Sequence, residues 1–117
     1  MNINELLEMM SQEFGGKPET MELLSKIDEK VVFEHAANKN FAMGGDKISP
    51  KYKLLISLAV GAALGSENCI STYTQIALKN GISKEEILET LLVTRFVKGT
   101  SVLSAATPAL RKLVENK

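Results

Sequence analysis

The sequence predicts an all-α fold in a single domain of about six to seven helices. Three observations carry that prediction. Apolar residues recur at three- and four-residue spacing along most of the chain, and no stretch shows the strict alternation of a half-buried strand. Ala, Leu, Met, Lys and Glu are abundant, while aromatic residues make up only 5% and tryptophan is missing, a balance that favours helix. Helix-starting Ser, Asp and Asn residues and helix-ending glycines divide the chain at regular intervals.

The elements follow in order. Asn2 or Asn4 caps a first helix through Phe14, with Ile3, Leu6, Leu7 and Met10 on one side, and Gly15 and Gly16 end it. Pro18 suits the first turn of a second helix carrying Met21, Leu24 and Ile27. Asp28 caps a third segment with Val31, Val32, His35 and Ala36. The polar run from Asn38 to Lys47 contains Gly44 and Gly45 and reads as a loop. Residues 1–47 are expected to form an N-terminal helical extension that packs on a core of residues 48–110.

Ser49-Pro50 is the clearest start signal, a capping serine followed by a proline at the first helical position. The helix after it is apolar nearly all round from Leu54 to Leu64. Such a helix needs cover on every side, and in a chain of 117 residues a subunit interface is the expected cover. Gly65 breaks it, Ser66 caps the next, and Cys69 falls in that helix's first turn. These two central helices are expected to run antiparallel around Cys69. Ile70, Tyr73, Ala77 and Leu78 form an apolar side, and Gly81 stops the helix.

Ser83 and Glu86 have capping-box spacing, and Ile87, Leu88, Leu91, Leu92 and Val97 are the expected buried positions of the helix they open. Gly99 is expected to interrupt it, with Thr100 or Ser101 starting a last helix that points Val102, Leu103, Ala106, Leu110 and Leu113 inward. Pro108 should kink or restart that helix, with Thr107 as its cap.

Charge and length exclude several functions. Fourteen basic and fourteen acidic residues leave no net charge to draw the chain to nucleic acid or an anionic membrane. The N-terminus lacks a basic region followed by an apolar run, so no signal peptide is expected. The apolar run at Leu54–Gly65 is shorter than the roughly 20 residues a membrane span needs. A cytoplasmic location is the expectation. One His and one Cys supply too few soft ligands for a metal site. Gly44-Gly45 lacks the lysine and helix of a phosphate loop, so no cofactor is expected.

Cys69 is the candidate nucleophile. The first turn of a helix favours a thiolate through its unpaired N–H groups and dipole. Glu67 opposes that effect where its carboxylate faces the sulfur. Tyr73, one turn on, is placed to donate a hydrogen bond to it. The plain alternative for Cys69 is a small buried hydrophobe. Arg95 and His35 are candidate carboxylate-binding groups; the alternative for Arg95 is a surface residue or an inter-subunit ion pair, and for His35 a surface or capped residue.

Cys69-Ile70-Ser71-Thr72-Tyr73, then Ala77-Leu78, Gly81 and Glu85-Glu86-Ile87, resembles the carboxymuconolactone decarboxylase / alkyl hydroperoxidase D family. That family's signature is Cys-x-x-Cys-Val-x-x-His, followed by Ala-Leu, a Gly and a Glu-Glu-Ile helix start. The stretch from Lys51 to Val60 is similar to the helix that precedes the signature, and the resemblance covers roughly Ile48 to Leu110. It places Cys69 on the attacking cysteine, Ser66 on the resolving cysteine, Tyr73 on the histidine and Leu54 on the relay glutamate.

The resemblance implies a peroxidase-like, antioxidant thiol oxidoreductase with altered activity. Cys69 would be its nucleophile, with Tyr73 and Ser66 as hydrogen-bond donors. Ser66 cannot form a disulfide, so a one-cysteine cycle needs an external thiol or Cys69 of another subunit as resolver. The alternatives are a non-redox relative that binds or decarboxylates a small carboxylated acid or lactone through Arg95 and His35, and a structural oligomer without catalysis. The resemblance also implies a homo-oligomer, a trimer or hexamer, acting on a small molecule.

Overall fold

The computed structural model describes residues 1–116. Seven α-helices account for the ordered elements: α1 (Ile3–Phe14), α2 (Glu19–Ile27), α3 (Glu29–Met43), α4 (Pro50–Ala63), α5 (Glu67–Lys79), α6 (Lys84–Ala105) and α7 (Thr107–Glu115). The predicted all-α fold is what forms. No helix among the described residues is long and apolar enough to cross a membrane.

Local chemistry sets most boundaries. The Asn2 side chain accepts the Glu5 N–H at 2.8 Å and starts α1. Gly15 then ends α1 with φ 71°, a left-handed conformation that glycine adopts without a Cβ clash. Asp28 accepts the Lys30 N–H at 3.0 Å and starts α3. Ser83 and Glu86 form the full capping box that opens α6. Ser49 sits at the cap position of α4, but its side chain makes no capping bond, and Pro50 supplies the start signal.

Two boundaries differ from the sequence expectation. The stretch expected to be a loop from Asn38 is helical as far as Met43. Tertiary contacts support those extra turns: Lys39 pairs with Glu13 on α1, and Lys53 on α4 donates to the Met43 carbonyl at 2.9 Å. Gly99 does not interrupt α6, which runs 22 residues through it. A mid-helix glycine costs only about 1 kcal/mol relative to alanine, less than a helix this long can absorb. Thr100 and Ser101 therefore start nothing; their hydroxyls donate back to the carbonyls of Val97 and Lys98, each at 2.6 Å. The break expected at Pro108 does occur, with Ala106 rather than Thr107 at the cap position.

The apolar interior has two centres. Leu58, Ala77, Ile82 and Ile87 form one, where α4 packs against α5 and α6. Leu6, Met10 and Val32 form the other, among α1, α2 and α3. Lys79 on α5 joins the two regions by donating to the Gln12 carbonyl of α1 at 2.6 Å, and Lys51 on α4 pairs with Glu86 on α6.

Burial along α4 is one-sided. Leu58 and Gly61 are buried, whereas Ile56, Val60 and Leu64 are exposed within the chain. Several residues expected to be buried on α6 and α7 are exposed as well: Leu88, Leu92, Val97, Val102, Leu103, Leu110 and Leu113. The first half of α6 packs on α4 with Ile87 and Leu91, and the helix then carries its second half away from the body of the chain. Periodicity marks an apolar face, but what covers that face depends on where the helix points.

Candidate functional site around Cys69

Cys69 lies in the first turn of α5 and is half-buried, with a free thiol. Ser66 caps this helix as expected, its Oγ accepting the Cys69 N–H at 3.2 Å. The Ser66 hydroxyl still has its own proton to donate. Cys69, Ser66 and Tyr73 are thus held by one helix start, with Tyr73 one turn beyond the cysteine.

The other wall of the site is α4. Gly61 on α4 is buried against Cys69: a Cβ built on Gly61 would lie 2.7 Å from the Cys69 Cβ. Only a residue without a side chain lets the two backbones approach this closely. Ser57, one turn earlier on α4, donates to the Lys53 carbonyl at 2.8 Å and also faces the Tyr73 phenol. Tyr73 itself packs on the cluster around Leu58.

This setting holds the Tyr73 phenol above its ordinary pKa. Burial is the main cause. The negative charge of Cys69 and that of Glu13 add to it, while the nearby Ser57 hydroxyl works in the opposite direction. At neutral pH the phenol therefore keeps its proton, so Tyr73 is a hydrogen-bond donor and no base.

Three contributors escaped the sequence reading. Gly61 and Ser57 had a visible signal, since they interrupt an otherwise apolar helix, and an isolated glycine in a helical pattern often marks a close approach of backbones. Glu13 had none. It reaches the neighbourhood of Tyr73 only because α1 packs along α5.

Arg95 and His35 are placed differently. Arg95 is exposed on the second half of α6, and His35 is exposed on α3. Among the described residues neither side chain makes a hydrogen bond or an ion pair. Leu54, at the position the resemblance assigns to a relay glutamate, packs on the Leu58 cluster. It also lines an open cleft of about 470 Å³ together with Glu13, Met43, Lys53 and Lys79. The cations of this cleft are engaged by helix-end carbonyls, Lys53 with Met43 and Lys79 with Gln12, and Glu13 is paired with Lys39. These bonds tie helices together.

The seven-helix, all-α architecture agrees with the fold that the family resemblance implies. The family model for the carboxymuconolactone decarboxylase family matches residues 18–112. The chain belongs to the carboxymuconolactone decarboxylase family. The match begins at Pro18, so α2 and α3 are part of the family's domain along with α4 to α6 and most of α7. No curated protein gives a significant match to the chain. Within this family the chain has Ser66, Cys69 and Tyr73 on the site helix and Leu54 on the helix before it.

Proposed function

We propose that this carboxymuconolactone decarboxylase family member is a one-cysteine thiol oxidoreductase that reduces hydroperoxides with an external thiol. The supporting observation is the placement of Cys69. It is half-buried in the first turn of α5, beside a phenol that keeps its proton at neutral pH.

The thiolate of Cys69 attacks one oxygen of the hydroperoxide. An S–O bond forms as the O–O bond breaks, the sulfur is oxidised to a sulfenic acid, and the departing alkoxide takes a proton from solvent. An external thiol then attacks the sulfenic sulfur, giving a mixed disulfide and water. A second external thiol attacks that disulfide, restoring Cys69 and releasing the oxidised reductant. Tyr73, with one O–H proton, donates a hydrogen bond to the thiolate before the attack and to the oxygen that develops charge during it. Ser66 holds the helix start in place and offers a second hydroxyl donor. Such hydrogen bonds to charged groups contribute about 1.5–3 kcal/mol each.

The test is hydroperoxide consumption by the full chain with dithiothreitol as the external thiol. Turnover that disappears in Cys69→Ser, together with a sulfenic acid trapped by dimedone in the wild type, is the expected result. Equal consumption by wild type and Cys69→Ser, with no trapped adduct, would overturn the proposal.

A further inference from the structure

Tyr73 has one O–H proton to donate, and two anionic groups compete for it. Cys69 lies one turn before it on α5. Glu13 comes from α1 and lines the cleft beside Leu54 and Ile76. Ile76 is three residues beyond Tyr73, and residues at that spacing are neighbours on a helix surface. The charges of both Cys69 and Glu13 bear on the phenol. From α4 it meets Ser57, a neutral group.

The end of α1 is fixed where Glu13 stands. The backbone on either side of that residue is held to α5. The Gln12 carbonyl accepts from Lys79 at 2.6 Å. Gly15 lies so close to Gln75 that a Cβ built on it would fall 2.6 Å from the Gln75 amide nitrogen. Glu13 lies outside the residues matched by the family model, whereas Lys39 and Tyr73 lie within them.

Lys39 on α3 is the cation that meets this carboxylate. Its ammonium also stands 5.9 Å from the centre of the Phe14 ring, a second contact on α1. The other two cations of the cleft are engaged by carbonyls, Lys53 by those of Met43 and Gly45 and Lys79 by that of Gln12. An unpaired carboxylate is a strong acceptor, and a phenol bonded to it has no proton left for the sulfur.

We infer that Lys39 is a positioning residue for the site: by pairing with Glu13 it keeps that carboxylate off the Tyr73 hydroxyl and leaves the one phenol proton to Cys69. The inference rests on Tyr73 acting as donor to the thiolate in the proposed reaction, but it does not depend on which oxidant that thiolate meets. The Lys39 and Glu13 side chains are 35% and 40% exposed. The effect is therefore that of a surface pair, about two- to fivefold in a rate.

The test is the rate of Cys69 alkylation by iodoacetamide at pH 7 on the full chain, a reaction that needs the thiolate and no peroxide. Lys39→Met keeps the apolar stem and removes the charge. It should slow alkylation about two- to fivefold and move the Tyr73 phenol titration upward. Adding Glu13→Gln should restore the wild-type rate. In a Tyr73→Phe background Lys39→Met should leave the rate unchanged, because the path through the phenol is gone. Lys39→Gln repeats the test should Lys39→Met fail to fold. An unchanged rate in Lys39→Met would overturn the inference. So would equal slowing with and without the phenol, which would mean a direct field on the sulfur, or a wild-type thiol that reacts only after unfolding. The full pattern in a chain that consumes no hydroperoxide would support the role of Lys39 while removing the peroxidase reading alone.

Discussion

Gly61 on α4 and Cys69 on α5 meet back to back, so that a Cβ on Gly61 would fall 2.7 Å from the Cβ of Cys69. This crossing sets the depth at which the thiol sits. Gly61→Ala gains about 1 kcal/mol of helix propensity and meets an overpacking cost of about 1–3 kcal/mol. The clash is confined to the Cys69 Cβ, since the next atom, the Cys69 carbonyl carbon, lies at an ordinary contact distance of 3.6 Å. A net loss of about 1 kcal/mol is expected by urea denaturation, with a changed rate of Cys69 alkylation in the native state. A variant as stable as wild type, with unchanged alkylation, would mean that the helices separate freely.

The Tyr73 phenol gives a second prediction. Its folded-state pKa is raised, by burial first and then by the charges of Cys69 and Glu13. The folded chain therefore holds this proton more tightly than the unfolded chain. The associated stability is fully present below the unfolded value of about 10 and is lost as pH rises through the folded value. Cys69→Ser and Glu13→Gln should each move the phenol titration downward. Ultraviolet phenolate absorbance, corrected for Tyr52 with a Tyr73→Phe control, measures this. An unmoved titration in both variants would place neither charge near the phenol.

At the start of α6 the sign is the reverse. A hydrogen bond from Lys51 is the main cause of the lowered Glu86 pKa, followed by bonds from the Ser83 backbone and hydroxyl. The stability tied to Glu86 is therefore present above the unfolded value of about 4.3 and disappears as pH falls through the folded value. Glu86→Gln should flatten the acid limb of stability against pH by a small amount, since the pair faces solvent. Urea midpoints of wild type and variant between about pH 6 and pH 3 check it; parallel acid limbs would rule it out.

The pattern of success along the chain follows the range of the interactions involved. Asn2, Asp28, Ser66 and the Ser83–Glu86 pair were legible as helix starts, because each cap bonds to an N–H two or three residues away. The continuation of α3 to Met43 was not, because Lys39 and Lys53 reach it from sequence-distant partners. Gly99 misled for a related reason: its intrinsic cost is real but smaller than the cooperativity of a 22-residue helix.

The same division holds for the site. The sequence alone determined the helical class, the family resemblance, and the position of Cys69 in a first turn with Ser66 before it and Tyr73 one turn on, since all three depend on neighbours within about four residues. Only the tertiary structure decided that Gly61 lies against Cys69, that Ser57 and Glu13 act on the Tyr73 phenol, and that the apolar faces of α4 and the second half of α6 are left uncovered within one chain. An apolar periodicity states which side of a helix must be buried, but the direction in which each helix leaves its neighbour decides what buries it.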